Sequence, residues 1–148
     1  SSPLQRCAIF ANEYAELHTL PLHIEPDFKE INFGDWDGEP TQDVWQKDPK
    51  HLSAFWREPW QVSSPSGEPL KEFDRRVSSA WHSLVEAHKG RHILLVTHGG
   101  VMKQLLRILL NMPKDETYLQ RINLAYAAKL TVTVYHDEDG KQWPQLHW

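Results

Sequence analysis

Residues 93–110 read ILLVTHGGVMKQLLRILL, and this stretch limits the fold more than any other. Ile93 to Val96 is a continuous apolar run without alternation, which suits a strand covered on both faces, as in a parallel sheet. From Val101 to Leu110 the apolar residues return at helical spacing. Between the two lie Thr97, His98, Gly99 and Gly100. A buried strand that turns through glycines into a helix is the joint of an α/β layer structure, and ligands gather outside the carboxyl ends of such strands. His98 falls at that place. Gly99 and Gly100 carry no Cβ and let the backbone come close to a ligand. The helix that follows offers free N–H groups and a partial positive charge. The combination predicts an anion site with an imidazole on its lip.

The remaining sequence fits one domain of residues 1–148, a size that supports a real core. Ser2 is placed to cap a first helix with Pro3 at its first position. LHIEPDFKEINFGDWDG starts as a short strand and ends in a Gly- and Asp-rich loop. TQDVWQKDPKHLSAFWREPW has helical character cut by Pro49 and Pro59. QVSSPSGEP reads as a loop. Beyond Pro69, the residues Leu70, Phe73, Val77, Trp81, Leu84 and Val85 trace one face of a long helix that Gly90 stops. KLTVTVYHDEDGKQW alternates around an Asp-Gly turn, which predicts a terminal hairpin. Strands separated by helices predict a three-layer α/β sandwich with a mostly parallel central sheet.

Charge narrows the partners. The net charge of -4 gives no support to a nucleic-acid surface, so an anionic ligand would need a local cationic pocket. The single cysteine, Cys7, excludes an internal disulfide and fits a reducing compartment. SSPLQRC lacks the layout of a leader peptide, and Arg107 interrupts the longest apolar run. The expectation is a cytoplasmic chain without a membrane segment.

Two further residues stand out. Arg6 lies one turn into the first helix, where its side chain would lean back toward the helix N-terminus and help hold a phosphate. Glu30 sits between apolar Phe28 and Ile31, company that desolvates a carboxyl group and suits a general acid.

Four segments, taken in order, resemble the histidine phosphatase superfamily, which also contains the phosphoglycerate mutases. They are SSPLQRCAIFA, EINFGDWDG, SGEPLKEFDRRV and LLVTHGGVMK. The resemblance implies a phosphoglycerate mutase-like fold and a small phosphorylated substrate, with no metal and no other cofactor. It implies that His98 contacts the transferring phosphoryl group and that Glu30 donates a proton to the leaving alcohol. Arg6 would clamp the phosphate beside the Gly99 turn. Within the family, EINFGDWDG with little inserted sequence, together with HLSAFWREPWQVSSPSGE, resembles the branch that removes the 5′-phosphate of α-ribazole. Phe55, Trp56 and Trp60 would then offer a platform to a flat heterocycle. A broad-specificity phosphatase, a mutase and a non-catalytic phosphate-binding module are the alternatives.

The sequence departs from the family pattern in one respect with large consequences. The family begins with a strand ending in Arg-His-Gly, whose histidine is the nucleophile, and no such turn occurs here. Smaller departures are Phe10-Ala11 in place of Thr-Ala, and Pro69 in place of a serine. The expectation is a chain lacking the first strand and the covalent catalyst. The lost strand would leave an apolar edge beside Ile93–Val96, which invites a homodimer or segment exchange.

Overall fold

The computed structural model describes residues 1–147. Helix α1 (Gln5–His18) is followed by two short 3-10 turns, Pro26–Phe28 and Gly34–Trp36. Then come α2 (Thr41–Lys47), α3 (Pro49–Arg57), the long α4 (Leu70–Ala87), α5 (Gly99–Leu109) and α6 (Thr117–Arg121). The hairpin strands β1 (Thr131–His136) and β2 (Gln142–His147) close the described chain.

Local chemistry explains most of these boundaries. Pro49 is the first residue of α3, and the Asp48 side chain accepts the His51 N–H at 3.2 Å, so α2 and α3 part where a capped proline restarts the helix. Helix α4 buries Leu70, Phe73, Val77, Ala80 and Val85 along one stripe, as its periodicity predicts. The hairpin pairs Thr131 with His147 through to His136 with Gln142, antiparallel, around the Asp-Gly turn. Phe28, Ile31, Phe73, Val77, Val101 and Tyr118 form the heart of the core, where α4, α5 and the 28–31 segment meet. Each such side chain contributes roughly 1.5–3 kcal/mol by leaving water.

The structure differs from expectation in its sheet. Among the described residues the sheet is two-stranded and antiparallel, formed by β1 and β2. The run Ile93–Val96 is extended but joins no ladder, and Ile93 and Leu94 are 46% and 54% exposed. Its recorded backbone bond to another segment is from the Ser2 N–H to the Val96 carbonyl, 2.9 Å. The predicted strand from Leu22 is likewise extended without a ladder. The reason is shared: a run becomes a strand only when a neighbouring segment pairs along at least one of its edges, and none of the other described segments forms a ladder with either run. Helix α1 also starts later than predicted, with Leu4 rather than Ser2 at its cap position. Among the described residues no helix is long and apolar enough to cross a membrane.

Candidate active site

The site is assembled where the 93–98 segment enters α5. His98 holds the cap position of α5 in extended backbone geometry and is 5% exposed. Thr97 anchors the turn, its hydroxyl donating to the Phe28 carbonyl at 2.7 Å. This bond ties the histidine turn to the segment that carries Glu30.

Arg6 reaches His98 from α1. Its Nε–H donates to His98 Nδ1 at 3.1 Å. A guanidinium has no acceptor, so Nδ1 accepts and the ring proton sits on Nε2. That proton meets the buried Ser2 hydroxyl at 2.7 Å. Ser2 thus serves the imidazole; it was expected to cap α1. The ring is neutral in this arrangement. Burial, then the charges of Arg6 and Arg76, push His98 down to about 4. Cys7 lies 3.6 Å from both ring nitrogens, and its thiol donates to the Thr97 carbonyl at 3.3 Å. Burial pushes the Cys7 thiol up, which favours the thiol form against the imidazole ring.

Glu30 arrives from the opposite side. Its Oε2 accepts the Gly100 N–H at 3.0 Å and its Oε1 accepts the Ile31 N–H at 3.1 Å. The carboxylate therefore caps the start of α5. A Cβ on Gly100 would lie 2.2 Å from Glu30 Oε1, so only glycine admits this contact. A Cβ on Gly99 would meet nothing within 4 Å. The two glycines have separate uses: Gly100 makes room for Glu30, and Gly99 leaves its exposed backbone open to a ligand.

Arg76 and Glu68 hold this arrangement from behind. Arg76 pairs with Glu68 through Nε at 2.7 Å and Nη2 at 2.9 Å. Its remaining donors bond the carbonyls of Asp27, Lys29 and Glu30 at 2.7, 2.8 and 3.1 Å. The guanidinium thus pins the backbone under Glu30, which assigns Glu68 a structural task. Arg6, by contrast, is exposed, and none of the described carboxylates forms a salt bridge with it. Its fork is free to meet an anion.

Beside Glu30 and Gly99 opens a cavity of about 270 Å³, walled by Phe33, Phe55, Trp56, Phe73 and Leu119, with Lys103 also in its lining. Phe55 and Trp56 belong to it, as the aromatic platform predicts. Trp60 does not: its indole N–H donates to the Asp115 carbonyl at 3.1 Å, and Arg107 and Lys114 stack on its ring. The sequence signal failed there because an aromatic at helical spacing serves core and ligand equally. Ser2, Arg76 and Lys103 went unassigned for a related reason. Ser2 lies in a capping pattern, and isolated cations usually mark a solvated face.

The arrangement defines a class. Arg6 meets His98 at 3.1 Å and Glu30 meets the same helix start at Gly100. A guanidinium, an imidazole, a helix N-terminus and a carboxyl group brought to one turn are the equipment for binding a phosphoryl anion and protonating the oxygen it leaves. The chain belongs to the histidine phosphatase superfamily (branch 1), which matches residues 1–145. It is similar to the adenosylcobalamin/alpha-ribazole phosphatase of Escherichia coli K12, 32% identical over 123 residues, covering 82% of this chain and 60% of the relative. Among solved structures it resembles the alpha-ribazole phosphatase of Shigella flexneri, with TM-score 0.75 and 28% identity over 99% of this chain and 69% of that one. It also resembles YhfR of Bacillus stearothermophilus, with TM-score 0.80 and 26% identity over 95% of this chain and 68% of that one. These matches place the α/β chain in the phosphoglycerate mutase-like architecture. The chain spans about 60% of the length of the Escherichia coli relative.

Proposed function

We propose that this chain forms the phosphoryl-binding part of a cytoplasmic phosphomonoester hydrolase that takes the 5′-phosphate of an α-ribazole-type nucleoside. The observation that carries the reading is the 3.1 Å contact between Arg6 Nε and His98 Nδ1, across 92 residues of sequence, next to the helix start that Glu30 caps. An arriving phosphate takes the free fork of Arg6 and the Gly99 N–H as its donors; His98 joins them when it takes up a second proton at Nδ1 and gives up the bond from Arg6 Nε. The phosphate's negative charge raises the proton affinity of His98 and offsets the two neighbouring cations. Glu30, once protonated, gives its proton to the leaving oxygen as the P–O bond breaks. The names of the relatives and the aromatic wall of Phe55 and Trp56 support the nucleoside assignment.

The nucleophile is another matter. Among the described residues no other histidine bonds His98 or Arg6. His18 packs on Tyr14, His23 faces His88, His51 bonds the Ser63 carbonyl, His82 the Ser78 carbonyl and His147 meets the Thr133 hydroxyl, while His92 and His136 share no bond with the turn. In our reading the attacking imidazole comes from polypeptide outside residues 1–147, and this chain alone binds phosphate without turning esters over.

Calorimetric titration of the chain with orthophosphate or orthovanadate tests the binding half. Arg6→Ala and His98→Ala should each weaken binding at least about tenfold; unchanged affinity in both would end the reading. The catalytic half calls for a polypeptide that includes an Arg-His-Gly segment. There Glu30→Gln should slow an alkyl phosphate by about 100-fold and p-nitrophenyl phosphate far less. Equal slowing would remove Glu30 as the proton donor. Equal kcat/KM for α-ribazole 5′-phosphate and p-nitrophenyl phosphate would remove the nucleoside assignment.

A further inference from the structure

Lys103 is out of place in the cavity beside Glu30. The other walls are aromatic or aliphatic side chains from the 31–33 segment, α3, α4 and α6, together with Glu30 and the two glycines. Lys103 lies one helical turn beyond Gly99 on α5, so both residues face the same volume. Its Nζ donates to the Leu119 carbonyl at 2.6 Å. This bond holds the ammonium against Leu119, another wall of the cavity, instead of leaving it to trail in water. Among the described residues no carboxylate forms a salt bridge with it. Of its three donors, one is used and two are left for a guest.

A half-buried ammonium without a counter-ion is costly. Burial lowers the Lys103 ammonium, and the Glu30 charge opposes the shift. A lysine that merely solubilised α5 would extend into water. This one lines the same cavity as Phe55, Trp56 and Phe73.

We propose that Lys103 is a specificity-determining residue, donating hydrogen bonds to an acceptor group on the ring-bearing alcohol portion of the substrate. The inference rests on the phosphomonoesterase reading and narrows it. The preferred esters carry a flat ring for Phe55 and Trp56 and, within reach of the ammonium, an oxygen or nitrogen acceptor, as nucleoside-like alcohols do. Simple aryl phosphates satisfy the wall but not the lysine.

The test uses this chain and four probes: orthophosphate, phenyl phosphate, α-ribazole 5′-phosphate and α-ribazole itself. Binding is followed by calorimetry and by ligand-observed NMR. Lys103→Met keeps the aliphatic stem and removes the donors. It should weaken both α-ribazole ligands by about tenfold or more, with phenyl phosphate and orthophosphate changed less than about twofold. Lys103→Arg should restore part of the loss, and gives a second reading should Lys103→Met unfold. Equal weakening of all four probes would reduce Lys103 to a general positive charge and overturn the proposal, as would no change in either α-ribazole ligand. Failure of the phosphate reading looks different: orthophosphate would ignore Arg6→Ala and His98→Ala, while dephosphorylated α-ribazole would still respond to Lys103.

Discussion

At the scale of single residues, His98 governs the site because each ring nitrogen has an assigned task. Nδ1 accepts from Arg6 and the Nε2 proton goes to Ser2. The folded state therefore holds the neutral ring, and burial beside two cations keeps its pKa near about 4, against 6.5 for a free imidazole. The unfolded chain binds the extra proton first as pH falls. The stabilisation is complete above about pH 6.5 and is lost as pH drops toward about 4. Urea unfolding of the native chain and of His98→Gln, at pH 7.5 and pH 4.5, should show the native chain losing about 2 kcal/mol more than the variant. Parallel losses would show that His98 titrates in the folded state as it does in the unfolded one. Added phosphate should shrink the difference, because the bound anion favours the protonated ring.

At the scale of elements, α5 matters most, since its first turn carries the site and its later turns anchor it. Asp74 of α4 accepts hydrogen bonds from Gln104 and Arg107 of α5, and from Lys114 at 2.8 Å. Tyr118 of α6 donates to Gln104 at 2.7 Å. Asp74, Gln104 and Arg107 are all buried, so removing one partner strands the others. Asp74→Ala should cost about 3 kcal/mol in chemical unfolding, and Asp74→Asn clearly less. A cost below about 1 kcal/mol for Asp74→Ala would mean that apolar packing alone holds α5 in place. Helix α6, too short to be legible in the sequence, is held in this way: Trp56 accepts from Gln120 through its carbonyl at 2.5 Å, and Lys103 binds Leu119. Tertiary bonds create this helix; its own propensity does not.

At the scale of the whole molecule, one flank is apolar and exposed. Ile93 and Leu94 on the extended run, Ile9 and Phe10 on α1, and Leu20 and Ile24 after it are each about half accessible. Hydrogen bonds join these segments, from Ser2 to Val96 and from the Ser1 terminus to the His23 carbonyl. An extended apolar run with unpaired backbone groups recruits another strand. Sedimentation equilibrium at tens of micromolar should show reversible self-association, and the double variant Ile93→Lys, Leu94→Lys should abolish it. A native chain that stays monomeric at high concentration would count against this.

The helical face of α4, the break at Pro49, the Asp-Gly hairpin and the His98 turn were legible in the sequence, because each rests on periodicity or on turn chemistry confined to a few neighbouring residues. His98 and Gly99 were singled out for the same reason, whereas Arg6 and Glu30 stood out chiefly through the resemblance to the family. Tertiary structure decided the rest. It made Gly100 the seat of the Glu30 carboxylate, turned Ser2 inward to the imidazole, sent Trp60 to the core and left Ile93–Val96 unpaired. Those outcomes depend on which distant segments come together, and pairing across 70 to 96 residues leaves no local trace in the order of amino acids.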